Sequence, residues 1–428
     1  MRFLSAVRSL GARIGRYRPS QLSLEDRNIL YFGIDTALQG LMMGGIFTFI
    51  SVFVVRLGAS NLVVSLITSL PAIVLMLSSI PAGQFIQQRR DLIRVTNWTR
   101  VFHRGSFLVV ALLPFFLREA LAEVIVVVWA AKSVSSAVLE ASWTAVVAEV
   151  IPPARRASVN GTRLAVLSLV TAAAVAVFGY ILDRLPFPLN YQIVFLISLV
   201  GSIAGMYFFA LMRIPDNLPA ERVKGARASL GQRLRAYVRT FDDPEFVRYE
   251  LTTFALRFGG SLPAALYSIY WIRHLDASDL WISWQATAGK LALIAGYFAW
   301  GKIVSRRGHH LPLLICTVGI GLYPALTGLA TSQVWLPLIA TVQGFFVTGI
   351  DLAFFDTLLA ICPPGKRPSY IALNTMLSSL AMFAAPMVGS LLASWMDIRL
   401  VFFVASGLHL VAAVLFWRYR IAAEPHEG

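Results

Sequence analysis

The chain has 428 residues, 57% of them hydrophobic and 14% charged, with a formal net charge of +15. Globular domains carry about 25% charged residues, so this composition excludes a soluble fold of this size. The basic residues lie in short segments between long apolar runs, which excludes a nucleic-acid-binding face and makes the lipid bilayer the surrounding medium.

Residues 1–27 form a basic N-terminal segment. Phe3, Val7, Leu10, Ile14 and Tyr17 share one helical stripe there, beside Arg2, Arg8, Arg13 and Arg16. The pattern suits a helix lying on an anionic leaflet, or equally a basic tail. It lacks the apolar stretch and small-residue cleavage site of a signal peptide, so it is expected to remain on the chain.

Apolar runs of roughly 20 to 28 residues follow, long enough to cross a hydrocarbon core of ~30 Å at 1.5 Å per residue. Spans are expected at about 28–55, 61–86, 94–117, 120–147, 157–182 and 190–212, which make a first bundle, 28–212. A second bundle, 246–420, is expected from spans at about 246–272, 280–303, 311–330, 334–360, 368–394 and 398–418. The fold class is therefore an all-α membrane protein with 12 transmembrane helices in two six-helix bundles. Residues 213–245 are a polar linker in which Ser229 and Gln232 signal a helix start, and Leu230, Leu234, Val238 and Phe241 lie among Arg233, Arg235 and Arg239. A tether on the membrane surface is expected there, with lipid regulation as the alternative. Residues 421–428 are a short tail.

The two bundles are copies of one unit. Lys132–Arg163 reads KSVSSAVLEASWTAVVAEVIPPARRASVNGTR, and 211 positions on (363 − 152 = 211) Gln343–Asn374 reads QGFFVTGIDLAFFDTLLAICPPGKRPSYIALN. Pro152-Pro153 falls on Pro363-Pro364, Arg156 on Arg367, Ser158 on Ser369 and Glu140 on Asp351. With a shift of 218, Ala59-Ser60 falls on Ala277-Ser278, Leu62 on Leu280 and Gly83 on Gly301, while Arg56 meets Arg273 with one residue of slippage.

Lys and Arg divide unevenly between the two sides. One side collects the N-terminal arginines, Arg89, Arg90, Arg94, Arg155, Arg156, the linker, Lys302, Arg306, Arg307, Lys366, Arg367, Arg418 and Arg420. The other has isolated Arg56, Arg118, Arg184, Arg273 and Arg399. Both termini are thus expected to be cytosolic. Cys316 and Cys362 make no metal spacing and are expected to be buried as small apolar side chains.

Two homologous six-helix halves joined by a basic linker resemble the major facilitator superfamily of secondary transporters, and the resemblance runs from about 28 to 418. Its most specific motif is the loop between the second and third helices. The second-half copy reads Gly301-Lys302-Ile303-Val304-Ser305-Arg306-Arg307-Gly308-His309, with Ser305 at the usual acid position. The first-half copy, Gly83-Gln84-Phe85-Ile86-Gln87-Gln88-Arg89-Arg90-Asp91, has Gln87 for the acid and Arg90 for the second glycine. In the family this loop is a cytosolic gate. The resemblance therefore implies gate roles for Gly83, Arg89, Arg90, Gly301, Arg306 and Gly308, with Glu149 or Asp91 supplying the missing negative charge. The alternative is that these charges only set orientation. The glycine run of drug-proton antiporters is missing from the fifth helix, where Ala165–Leu182 contains only Gly179.

The resemblance also implies that the first, fourth, seventh and tenth helices line a central cavity. Ionisable residues within membrane spans mark transport sites because an unpaired charge there costs at least ~2.5 kcal/mol. Asp35 lies on the first helix, Lys132 and Glu140 on the fourth, Glu250 and Arg257 on the seventh, and Asp351 on the tenth. Asp35 serves either coupling or an interfacial ion pair. Lys132, Ser136 and Glu140 repeat every four residues on one stripe, matched on the tenth helix by Gln343, Thr348 and Asp351. Pseudo-twofold symmetry then puts Glu140 opposite Asp351, an arrangement in which one carboxylate holds a proton. The alternative gives each acid a structural partner such as Lys132 or Arg257. Lys290, on the eighth helix, either bridges the halves or touches substrate. Arg257 precedes Gly259-Gly260 and Pro263, which are expected to break the helix and expose backbone groups to a ligand. Arg100, His103 and Arg104, on the third helix, are expected to be snorkelling arginines beside a packed histidine.

No HExxH, Walker or GxSxG motif occurs, so neither an enzyme nor a cofactor is expected. The function expected is proton-coupled secondary transport of a small polar or charged solute by alternating access. The alternatives are an organic-anion or metabolite permease, and a non-transporting scaffold or sensor that interacts with other membrane proteins. The run ILYFGIDTALQGLMMGGIFTFISVFVVRLGAS is similar to magnetosome-associated members of the superfamily. That likeness implies iron or another divalent metal as cargo, and an organelle membrane in place of a bacterial inner membrane. Asp35, Glu140 and Asp351 would offer oxygen ligands, though no His or Cys joins them in the cavity helices and no metal site is defined. Lys132, Arg257 and Lys290 would equally suit an organic anion.

Overall fold

The computed structural model describes residues 22–89, 91–214, 239–362 and 367–421. The N-terminal stripe, Arg90, the helix expected near Ser229 and the Pro363-Pro364 pair lie outside the described residues. Helices account for the architecture. The first half comprises α1 (Leu24–Arg56), α2 (Asn61–Gln87), α3 (Leu92–Phe116), α4 (Leu121–Val150), α5 (Pro153–Arg184) and α6 (Leu189–Ala210). In the second half α7 is broken into Pro244–Ser261 and Ala264–Arg273, followed by α8 (Asp279–Arg307), α9 (His310–Leu329), α10 (Leu336–Ile361), α11 (Arg367–Trp395) and α12 (Ile398–Tyr419).

A lipid-embedded backbone must satisfy its own polar groups, and helices do this within one segment. Side chains finish the ends. Ser60 caps α2, Asp91 caps α3, Asp243 caps α7, Ser278 caps α8 and Asp397 caps α12, each accepting from a backbone N–H in the first turn. Among the described residues nine helices are long and apolar enough to cross a membrane by length and composition alone. The other three, α3, α7 and α8, carry internal charges or a break. α1 contains one π-helical turn, Met43–Phe47, at a height where Gly44 and Gly45 let α5 and α6 approach closely.

The two halves pack alike. In the first, α1 packs on α5 and α6, α2 on α4, and α3 on α4 and α6; the second repeats these pairings as α7 on α11 and α12, α8 on α10, and α9 on α10 and α12. Between halves, α2 meets α11 and α5 meets α8, which are again equivalent pairs.

One end of the bundle pair is tied shut. Arg56, at the end of α1, donates to Asp279 of α8 at 2.9 Å and to the Ala277 carbonyl at 3.1 Å, and Tyr191 of α6 donates its hydroxyl to the same Asp279 at 2.7 Å. Arg273, at the end of α7, donates to Asn61 of α2 at 2.9 Å and to the Ala59 carbonyl. Under the sequence shift of 218, Ala59 maps onto Ala277 and Asn61 onto Asp279 (61 + 218 = 279). The two arginines therefore make reciprocal, symmetry-related contacts, one closed by a carboxylate and the other by an amide. We call this pair the clasp. Deeper on the same interface, Gly179 of α5 sits against Ser283 of α8 so closely that a Cβ would fall 1.7 Å from the serine oxygen. The opposite end carries the basic loops, where Arg89, Arg306 and Arg307 are exposed.

Candidate functional site

A cavity of about 350 Å³ lies within the first half, lined from α1 (Gln39, Met43, Phe47), α3 (Arg100, His103, Arg104), α4 (Lys132, Ser136, Glu140) and α5 (Arg163). The α4 stripe read from sequence faces it as a unit, because residues four apart on a helix share a face. Lys132 is only 9% exposed and makes no ion pair with a described residue. Its ammonium lies 3.9 Å from the Trp129 ring centre and 4.8 Å from that of Phe47, so aromatic faces hold the charge in place. Arg163 stacks similarly over Trp143 at 4.6 Å.

The third helix departs from expectation. Arg100 and Arg104 do not snorkel but are buried and turned inward, whereas His103 is packed as expected. Arg100 forms a two-pronged pair with Asp35 of α1, at 2.9 and 3.0 Å, while Gln39 donates to the same carboxylate at 2.8 Å. Gly205 of α6 makes room for this, since a Cβ there would come 2.8 Å from Asp35 Oδ1. Arg104 donates through Nε to Ser202 of α6, and His103 packs edge-on against Phe107. The physical reason is neutralisation: a carboxylate about three turns inside α1 requires a cation, and α3 supplies one. Thr96, Arg100, His103, Arg104 and Phe107 follow helical spacing, which was a usable signal for one inward face. Arg104 Nη1 remains buried without a hydrogen-bond partner among the described residues. An unsatisfied guanidinium N–H at a cavity wall is a place for an anionic oxygen.

The second half offers a sparser counterpart. Asp351 accepts from Tyr297 of α8 at 3.4 Å, and Arg257 lies over the Phe354 ring at 5.3 Å with its Nε unpartnered. Glu250 is buried and accepts from Asn374 at 2.8 Å. Lys290 and Gln343 are half-buried and adjoin Gly289 and Gly344, where α8 and α10 pack closely. Glu140 lines the first-half cavity, while Asp351 makes the Tyr297 contact. Thr348 does not line the cavity either; it is buried against Gly296 of α8, because it lies five residues from Gln343 and so on another face. The α7 break occurs where Gly259-Gly260 and Pro263 predict it. Its carbonyl at Leu262 is not offered to a ligand, however, but packs against Gly389 of α11, where a Cβ would come within 2.0 Å.

Of the gate residues, Gly83 and Gly301 meet no described atom that a Cβ would strike, and Arg89, just past the end of α2, stacks on Phe85 of that helix at 4.3 Å. Asp91 spends its carboxylate capping α3. Gly308 is different. It ends α8 with φ 68° and ψ −168°, donating its N–H to Val304. That region is essentially restricted to glycine and costs other residues on the order of 1–3 kcal/mol. Gly308→Leu is therefore expected to lower the melting temperature of detergent-purified protein by several degrees, whereas Gly301→Ala should leave it unchanged. Equal melting temperatures for Gly308→Leu and the parent would show that the cap tolerates a side chain.

The sequence profile of the Major Facilitator Superfamily matches residues 32–248 and 249–428. No curated protein sequence matches the chain. Among solved structures, the nucleoside transporter NupG and a D-xylose-proton symporter each superpose with a TM-score of 0.70 at 13% identity; both alignments cover 93% of this chain, and 100% and 98% of those chains respectively. The human organic anion transporter MFSD10 superposes with a TM-score of 0.63 at 16% identity, covering 92% of this chain and 100% of that one. These likenesses are of fold, and the profile spans both halves. The chain belongs to the Major Facilitator Superfamily, a superfamily of membrane transporters and not of enzymes.

Proposed function

We propose that the protein carries a small organic anion by alternating access, with the first-half cavity as the principal binding site. The charge balance of that cavity carries this reading. Among the described residues Lys132, Arg104 and Arg163 face it against one carboxylate, Glu140, because Asp35 is already held by Arg100; three cations and one anion leave an excess of two positive charges. Burying such an excess is costly unless an anion arrives to compensate it. A carboxylate, sulfonate or phosphate ester on an apolar body fits, with Trp129, Trp143 and Phe47 supplying the apolar contacts. The fold neighbours do not discriminate, since they are a nucleoside transporter, a D-xylose-proton symporter and an organic anion transporter.

The same balance opposes a divalent metal as cargo. Among the described residues no three His, Cys, Asp or Glu side chains gather as a metal site requires. Glu140 and Asp351, one in each half, are the carboxylates we assign to proton carriage. With the basic loops in the cytosol, the clasp closes the outer side and the cavity faces inward. Exposed gate arginines accompany that state, since the gate of the basic end engages when the outer end opens.

Proteoliposomes under an inward proton gradient provide the test, using radiolabelled mono- and dicarboxylates, phosphate esters, neutral sugars, nucleosides, Fe(II) and Mn(II). Concentrative uptake of at least one anion is expected. Uptake confined to Fe(II) or Mn(II) would overturn the reading.

A further inference from the structure

A second and larger cavity, about 1040 Å³, lies at the basic end on the outer face of the first half, between the start of α1, the start of α3 and the end of α6. It shares no lining residue with the anion cavity; α3 is the wall between them, with Asn97 and Trp98 on one face and Arg100 and Arg104 on the other. Among the described residues three arginines, Arg27, Arg94 and Arg213, line this groove against a single acid, Asp91, whose carboxylate caps α3. None of the three forms an ion pair with a described residue. Asn28 fixes the Arg213 backbone, accepting its N–H at 3.0 Å and donating to its carbonyl at 2.7 Å. Asn97 donates to the Met206 carbonyl but leaves its own oxygen buried and unpartnered. Trp98 is 58% exposed at the groove, and the surface continues into exposed Val101 and Phe102 along α3.

This is amphipathic order along one helix: cations at the end of the span, then an interfacial tryptophan, then apolar side chains facing the acyl region. A soluble phosphate would satisfy the arginines but leave the apolar part uncovered. We propose that the groove holds one anionic phospholipid, its phosphate among Arg27, Arg94 and Arg213 and its acyl chains along Trp98 and Val101. Anionic headgroups of the cytosolic leaflet are attracted to such clusters. The backbone of α3 passes between this lipid and the Asp35–Arg100 pair, so occupancy stabilises the wall of the anion cavity.

Native mass spectrometry of protein extracted from vesicles of 30% dioleoylphosphatidylglycerol in dioleoylphosphatidylcholine tests the proposal. The parent should retain one tightly held phosphatidylglycerol, and the triple variant R27Q/R94Q/R213Q should retain at least tenfold less, with R27K/R94K/R213K restoring it. Millimolar inorganic phosphate should not displace the lipid. Equal retention by the glutamine variant would overturn the assignment. So would displacement by inorganic phosphate, which would identify a soluble-phosphate site. A rise in retained lipid on removal of residues 1–21 would overturn it too, by showing that the chain's own basic segment is the occupant. The readout is lipid count, so it is independent of whether the cargo is an anion.

Discussion

Glutamine at both Lys132 and Arg163 is expected to cut anion uptake by about 10²–10⁴-fold while the protein still reaches the membrane at parental levels. A hydrogen bond to a charged group contributes about 1.5–3 kcal/mol, and ~1.4 kcal/mol is tenfold in rate, so each substitution should cost roughly one to two orders of magnitude. The stability of the empty protein should move the other way. Lys132 is buried with no ion pair to a described residue, and the Trp129 and Phe47 faces hold it. An isolated charge at such depth is a burden in the unloaded state. Lys132→Met should therefore melt at a higher temperature than the parent in the absence of cargo, and lose most of its uptake. A structural lysine would lose stability and activity together. If the methionine variant melts lower and transports at the parental rate, the cavity is not the anion site.

The clasp should respond with opposite signs to two substitutions that exchange its chemistry. Arg56 is closed by Asp279, and Arg273, its symmetry mate, by Asn61. Asp279→Asn makes both contacts neutral amides and removes the 2.8 Å ion pair; Asn61→Asp gives Arg273 the carboxylate it lacks. A charge-assisted contact is roughly twice as strong as a neutral one. The pair is partly screened, since the Arg56 side chain is 27% exposed. A shift of about tenfold in the equilibrium between closed and open outer ends is therefore expected for each change, about 1.4 kcal/mol. Ser283 reports it. It is buried against Gly179 of the other half, so a cysteine there reacts with an impermeant thiol reagent only when the clasp end opens, and the native Cys316 and Cys362 are both buried. In the Ser283→Cys background, Asp279→Asn should speed labelling and Asn61→Asp should slow it. Changes of the same sign would show that the clasp does not control the interface.

Much of this architecture was legible in the chain because lipid imposes length on helices. The duplication then identified equivalent positions, so Lys132, Ser136 and Glu140 could be read as one stripe before any packing was known. The pairing of Arg100 with Asp35 was not legible in the same way. It joins residues 65 positions apart on different helices, and no local spacing records which helix face turns inward. Arg56 and Arg273 read as isolated charges that set orientation, although the shift of 218 already placed Asn61 opposite Asp279. Only the crossing of the two helix ends makes them partners. The α7 break was legible from Gly259-Gly260 and Pro263, but its use was not. Whether a freed carbonyl meets a ligand or a neighbouring helix depends on a glycine more than 120 positions away, Gly389.

Alternating access requires that the cavity and the clasp be exposed in turn, and a cysteine at Ser136 on the cavity wall measures this directly. In oriented vesicles its labelling rate can be followed separately from the clasp side and from the basic side. With the clasp intact, labelling from the basic side should dominate. Adding Asp279→Asn should raise the clasp-side rate and lower the basic-side rate in proportion, because opening one end closes the other. If the two rates rise together, or if the clasp substitution changes neither, the cavity is not alternately exposed and the transport mechanism set out above is contradicted.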